Sequence, residues 1–329
     1  MSRILALFKR YKRLVQVAAL LLIAAFVAAS VWKSWSHISK YSWHVNYGLL
    51  IGAFALLVAQ EISYAFIWRG ILLRMGSRLD IISAQRIYLG AEFVRYIPGN
   101  VWHVITRVFW AEQRGVPKPI GFASMVVELA TKITAAALVF AASLFFWPAA
   151  PVISIEVPRV ALVAAGAIGI PLLLAGLHPR VLTRGLSFAT RKLGREPVSF
   201  TLRYRDVLVV TLYWALSWVV AGVGFYLLVR SLVTAPLPAS ALAIAIGIYA
   251  AGWDVGFLTF ITPSGIGFRE VVIAALLTSS LLVTGPSAAG LALVVAFVAR
   301  LLSTGAELVC IAAAHLAPGA PAPVEVGKG

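Results

Sequence analysis

Long apolar runs separated by short basic or mixed segments set the pattern of this chain. Six runs are long enough to cross a hydrocarbon core of about 30 Å, which takes about 20 residues: residues 14–31, 47–68, 122–147, 160–177, 207–229 and 288–314. They are continuous instead of alternating, so they predict helices and not the strands of a barrel. Two further stretches are apolar but broken. Residues 81–110 are cut at Pro98, Gly99 and Asn100, and residues 241–283 at TPSGIG, positions 262–267. At 1.5 Å per residue the piece after the first cut, 101–110, would rise only about 15 Å and the apolar part after the second, 271–283, about 20 Å. Both stretches therefore predict re-entrant pairs. The expected fold class is an all-α integral membrane protein with six transmembrane helices plus two re-entrant or broken helix pairs.

The breaks at Pro98 and Pro263 lie 165 positions apart in a chain of 329. Shifting the chain by that amount lays 47–68 close to 207–229, and 122–147 over the last run. Each half then reads span, span, broken pair, span. If each broken pair enters and leaves from one side, a half has three crossings, and an odd number turns the second half over. An inverted repeat within one polytopic domain, residues 1–315 with halves near 1–155 and 156–315, is the expected organisation. The Pro/Ala-rich residues 316–329 read as a disordered tail.

Composition agrees, since 61% of residues are hydrophobic and 12% charged, against about 25% charged in soluble domains. The net charge of +16 lies mainly in segments flanking the spans, with no aromatic-basic module, so nucleic acid is excluded as a partner. The N-terminus, the segment after the second span and residues 178–206 are the most basic, and the Lys/Arg bias places them in the cytoplasm. The first run is too long and poorly followed for a cleaved signal and reads as an anchor. Both termini are then cytoplasmic, in the plasma (inner) membrane. Residues 179–194 look amphipathic and suit anchoring to an anionic leaflet. One cysteine, Cys310, leaves no disulfide or cysteine cluster, and neither a metal nor a cofactor is expected.

Charge inside a span is expensive and marks a cavity or protein partners. Six of the twelve acids, Glu61, Glu92, Glu128, Asp254, Glu270 and Glu307, sit at apparent membrane depth, with Arg95, Arg107, Lys132, Arg269 and Arg300. Glu128 and Lys132 are four apart on one helix face and could neutralise each other, while Arg300 and Glu307 read as structural. After the first break, Asn100, His103 and Arg107 fall on one face of a half-helix whose N-terminus suits an anionic group. The competing interpretation has Arg107 snorkelling to the interface. After the second break, Gly265 and Gly267 loosen the backbone before Arg269 and Glu270. These residues are the expected lining of a polar cavity: Asn100, His103, Arg107, Glu128, Lys132, Asp254, Arg269 and Glu270, with Pro98, Gly99, Pro263, Gly265 and Gly267 as the structural breaks.

Phosphate-loop, zinc-protease and serine-hydrolase motifs are absent from the sequence, and no catalytic residue is assigned. EFVRYIPGNVWHVITRVFWAEQRGVPKPIGFASMVVE (92–128) and GFLTFITPSGIGFREVVIAAL (256–276) resemble the two signatures of the lysylphosphatidylglycerol synthase transmembrane-region family. The second, Pro-x-Gly-x-Gly-x-Arg-Glu, is the more specific. Members form the flippase half of bifunctional enzymes that make and translocate aminoacylated phosphatidylglycerol, or stand alone beside glycolipid and polysaccharide pathways. The resemblance implies lipid handling and points to Pro98, Gly99, Arg107, Glu128, Pro263, Gly265, Gly267, Arg269 and Glu270. Where the family's helix often continues from its Glu to an Arg and an Asp, this chain has Leu129 and Lys132. The aminoacyltransferase domain is not in the sequence, so the expectation is a stand-alone member that is not itself an enzyme. The leading expectation is a translocase of lipids or lipid-linked glycans that carries an anionic headgroup, with membrane phospholipids or a lipid-linked sugar as partners. The alternative is a non-transporting membrane partner or subunit of a glycosyltransferase or acyltransferase. An enzyme would have only Glu92, Asp254 and Glu270 as bases.

Overall fold

The computed structural model describes residues 44–92, 102–148, 150–152, 155–181, 183–184, 202–259, 267–285 and 288–316. The expected span 14–31, most of the amphipathic segment 179–194, the tail beyond 316, and Pro98, Gly99, Asn100, Pro263 and Gly265 lie outside them. The helices are α1 (Tyr47–Arg74), α2 (Ile81–Glu92), α3 (Trp102–Glu112), α4 (Lys118–Ser143), α5 (Arg159–Gly176), α6 (Tyr204–Leu232), α7 (Ala241–Leu258), α8 (Phe268–Ser279) and α9 (Ala288–Leu316). A short 3₁₀ turn, Leu144–Phe146, extends α4. Six of these elements are long and apolar enough to cross a membrane: α1, α4 with its extension, α5, α6, α7 and the Ala288–Ala314 part of α9. The protein is a helical membrane protein. Large side chains such as Phe66, Leu172, Leu216 and Leu301 are exposed on the helix surfaces, as lipid contact requires and water would not favour.

Five of the expected spans coincide with these helices. The described parts of the two helices that flank the first break are 12 and 11 residues long. At the second they are unequal. α7 has 18 residues, about 27 Å at 1.5 Å each, and is long enough to cross by itself, whereas α8 has 12. Hydropathy cannot tell a crossing helix from the first limb of a re-entrant pair, because both are simply apolar up to the break.

Between α4 and α5, Ala150–Val152 pairs antiparallel with Ile155–Val157 in the register Ala150↔Val157, Pro151↔Glu156, Val152↔Ile155. The β-branched Val152, Ile155 and Val157 carry that preference.

α1 lies along α6, and α4, α6 and α7 pack on one another. α8 fits between α7 and α9, and α2 between α1 and α9, while α3 rests on α2 and α4. α5 touches mainly α4 and buries little more than Leu162 and Gly166. The chain turns between α3 and α4 at Gly115. Gly115 takes a left-handed φ of 85°, which only glycine adopts without strain, and the Val116 N–H closes back on the Ala111 carbonyl at 3.0 Å.

α2 is held at its start by Asp80, whose Oδ1 accepts the Ser83 N–H at 2.8 Å while its carbonyl accepts from Ala84. This is an N-cap, and Asp80→Ala should cost about 1 kcal/mol. The hydrogen bonds from Ser83, side chain first and backbone second, hold the Asp80 carboxyl below its ordinary range. A lowered folded value means that the stabilisation is present above the unfolded value of about 3.9 and is lost as pH falls through the folded one. Thermal unfolding of the wild type should therefore drop more between pH 5 and pH 3 than that of Asp80→Asn, which keeps the cap without the charge. Parallel pH profiles would reject this role.

Candidate functional site

Three groups of charged side chains are buried among these helices. The first centres on Arg107 of α3, which is 2% exposed. Its Nη1 donates to Glu128 Oε2 of α4 at 2.6 Å and its Nη2 to Glu92 Oε1 of α2 at 2.9 Å. Tyr88 O–H donates to the other oxygen of Glu128 at 2.7 Å. The guanidinium carbon also lies 3.8 Å from the centre of the Tyr88 ring and 5.5 Å from that of Trp68, and Trp68 is itself tied by Nε1 to Ser124 Oγ at 3.0 Å. Tyr88 and Glu92 are four apart on α2, so one face of a short helix supplies a ring and a carboxylate. Two carboxylates face one guanidinium, a net charge of −1. Arg107 does not snorkel: it clamps the two limbs of the first break to α4. His103 stands one turn before it on α3, half-buried.

One turn along α4 from Glu128 is Lys132. Arg107 and Tyr88 hold Glu128, and the Lys132 ammonium lies among aromatic rings. Its Nζ is 3.6 Å from the centre of Tyr64 (α1), 4.7 Å from Trp253 (α7) and 4.8 Å from Trp214 (α6). Each distance is within the roughly 6 Å reach of a cation–π contact. The rings brace one another. Tyr64 and Trp214 lie 5.2 Å apart, Trp218 and Trp253 4.8 Å, and Trp253 stacks on Phe257 at 5.2 Å. Trp218 Nε1 also donates to the Lys132 carbonyl at 3.2 Å. Asp254, next to Trp253 on α7, is buried and interacts electrostatically with Lys132, and its Oδ1 has no hydrogen-bond partner among the described residues.

The third group opens α8. Glu270 Oε2 accepts the Gly267 N–H at 2.6 Å, and Glu270 Oε1 lies 3.9 Å from Arg300 Nε of α9. Arg269 sits over Tyr249 of α7 at 5.0 Å, beside Gly256, where an added Cβ would come within 3.0 Å of Arg269 Cβ. Arg269 Nε and Nη2 are buried without an acceptor among the described residues. Two arginines and one carboxylate leave a net charge of +1 here.

The groups are joined side by side. Glu128 and Lys132 link the first to the second along α4, with Tyr64 and Tyr88 rings 6.0 Å apart, and α7 links the second to the third. Arg107, Glu128, Lys132, Asp254, Arg269 and Glu270 all belong to this seam. Sequence reasoning missed the aromatic ring-bearers and the pairing of Arg107 with Glu92. The signal was present, since Tyr64 and Trp68, Trp214 and Trp218, and Trp253 and Phe257 are each four apart within apolar helices. Among the described residues no group of His, Cys, Asp and Glu is arranged to hold a metal ion.

No curated protein is similar enough to match the chain. A family model, described as the lysylphosphatidylglycerol synthase TM region, matches residues 14–308, which takes in all three charged groups. The chain therefore belongs to the lysylphosphatidylglycerol synthase transmembrane-region family.

Proposed function

We propose that the protein is a translocase of lipids or lipid-linked glycans, in which an anionic headgroup moves along the charged seam while the apolar tails stay in the bilayer. The observation that carries this reading is the burial of Glu92, Glu128, Asp254 and Glu270 with Arg107, Lys132 and Arg269, beside the half-buried Arg300, inside a bundle of apolar helices. Desolvating so many charges costs stability that apolar residues would not. Their retention points to a polar route.

The packing supports the expected repeat. α1 lies on α6, and the contacts of α1–α4 with α6–α9 are matched in pairs: α4 meets α6 and α7 as α9 meets α1 and α2, α3 lies on α4 as α8 lies on α9, and α2 lies on α3 as α7 lies on α8. Such twofold pairing is what two related halves would give, with the two breaks opening to opposite faces. The unequal charges, −1 at the first break and +1 at the second, then set a gradient for an anion.

Arg269 is the cation to test, because Arg107 is already neutralised by two carboxylates. In vesicles reconstituted with the full chain and fluorescent phosphatidylglycerol, Arg269→Gln should slow headgroup movement at least about tenfold, the loss expected of one charge-assisted hydrogen bond. Equal rates in wild type and variant, or no movement in the wild type, would sink the assignment.

A further inference from the structure

The aromatic group around Lys132 has the composition of a receptor for ammonium ions. Three electron-rich ring systems, Tyr64, Trp214 and Trp253, surround one cationic nitrogen at 3.6–4.8 Å, and Asp254, the neighbour of Trp253 on α7, is buried. Rings arranged in this way attract a cation by their quadrupoles and need no N–H donor from it, which is why such cages bind quaternary ammonium groups. The rings come from three helices, α1, α6 and α7, and are held by the Tyr64–Trp214 and Trp218–Trp253 contacts, independently of the lysine stem that enters from α4. Satisfying Asp254 alone would need no aromatic enclosure.

We infer that Tyr64, Trp214 and Trp253 form an ammonium-binding cage whose occupant is the chain's own Lys132, so that Lys132 keeps ammonium-bearing headgroups out of the seam. The cage itself follows from geometry; its consequence for headgroup choice rests on the translocase reading. Lys132 is then a specificity-determining residue. With its tethered ammonium in place, a second cation meets filled space and like charge, while an anionic headgroup meets neither obstacle.

The test uses the full chain in phosphatidylglycerol nanodiscs, titrated with tetramethylammonium chloride against sodium chloride at equal ionic strength and read by tryptophan fluorescence. The wild type should give no saturable response. Lys132→Ala should give one, and adding Trp253→Leu to it should remove the response. If the lost ammonium leaves Asp254 too costly to bury, Lys132→Ala with Asp254→Asn removes both charges, and this pair should still bind tetramethylammonium. A wild type that responds like the variant, variants that never respond, or a response that survives Trp253→Leu would each overturn the cage. In vesicles, Lys132→Ala should also move phosphatidylcholine headgroups that the wild type leaves in place. A wild type that moves no lipid defeats the translocase reading while leaving the titration result intact; a positive titration with unchanged headgroup choice defeats only the specificity role.

Discussion

Arg107→Gln is expected to cost the protein most of its stability. In the wild type the guanidinium is buried between Glu92 and Glu128, at 2.9 and 2.6 Å, and the substitution leaves two carboxylates enclosed with no cation between them. Breaking a buried ion pair by removing one partner costs about 3–5 kcal/mol, a large part of the roughly 5–15 kcal/mol that holds a typical domain together. Arg107→Lys should fall in between, because an ammonium keeps the charge but cannot span both carboxylates with the fork of a guanidinium. The informative control is Arg107→Met with Glu92→Gln and Glu128→Gln. Removing all three charges together should restore much of the loss, since an intact buried cluster contributes little net stability even though its fragments are costly. Thermal unfolding of purified protein, with the yield of monodisperse material, reads all four. An Arg107→Gln variant that melts with the wild type would show that the clamp is not closed as described. This also explains why Arg107 is a poor residue for probing transport: its loss would remove the fold along with any function.

A second large effect should come from Gly222→Val. Gly222 lies where α6 crosses α7, and even a Cβ there would be 2.5 Å from the Ile246 Cα and 2.7 Å from its Cγ1. The obstacle is main chain, which cannot turn aside, so the two helices must separate. One residue on from Ile246, α7 is also tight against α4 at Gly247, where a Cβ would collide with the Ser143 side chain. Small residues at helix contacts are what allow close approach in a bilayer, where apolar surface alone gives helices no reason to associate. Overpacking typically costs about 1–3 kcal/mol and sometimes more. Here it would also spread the cage, since α6 carries Trp214 and Trp218 and α7 carries Trp253. Lower melting temperature with altered tryptophan emission is the expected result. Gly169→Ala on α5, where nothing lies within 4 Å of the new Cβ, should be neutral or slightly stabilising because alanine is the better helix former. If both glycine variants behave alike, close approach of α6 and α7 is not what Gly222 provides.

The unequal behaviour of the two arginines shows why charged residues are hard to assign from spacing. On paper Arg107 and Arg269 are twins, each a few residues beyond a Pro-Gly break. In the fold one is enclosed by acids from two other helices, and the other has donors without acceptors among the described residues. The i, i+4 rule likewise offers Lys132 as the partner of Glu128, but that rule concerns an isolated helix surface. It gives no sign of Arg107, which reaches Glu128 from another helix at 2.6 Å.

What the sequence determined by itself was the helical membrane class, five of the spans within the described residues, and charges such as Arg107, Glu128 and Glu270 that the fold buries. These are properties of one segment against one solvent: a bilayer leaves no backbone group unsatisfied and penalises each charge, so both leave marks readable residue by residue. Tertiary structure alone decided that α7 is long enough to cross by itself, that Glu92 and Glu128 share Arg107, and that aromatics from three helices enclose Lys132. Those outcomes depend on which helices pack together, and packing joins residues such as Tyr64, Lys132, Trp214 and Trp253 that no local periodicity relates.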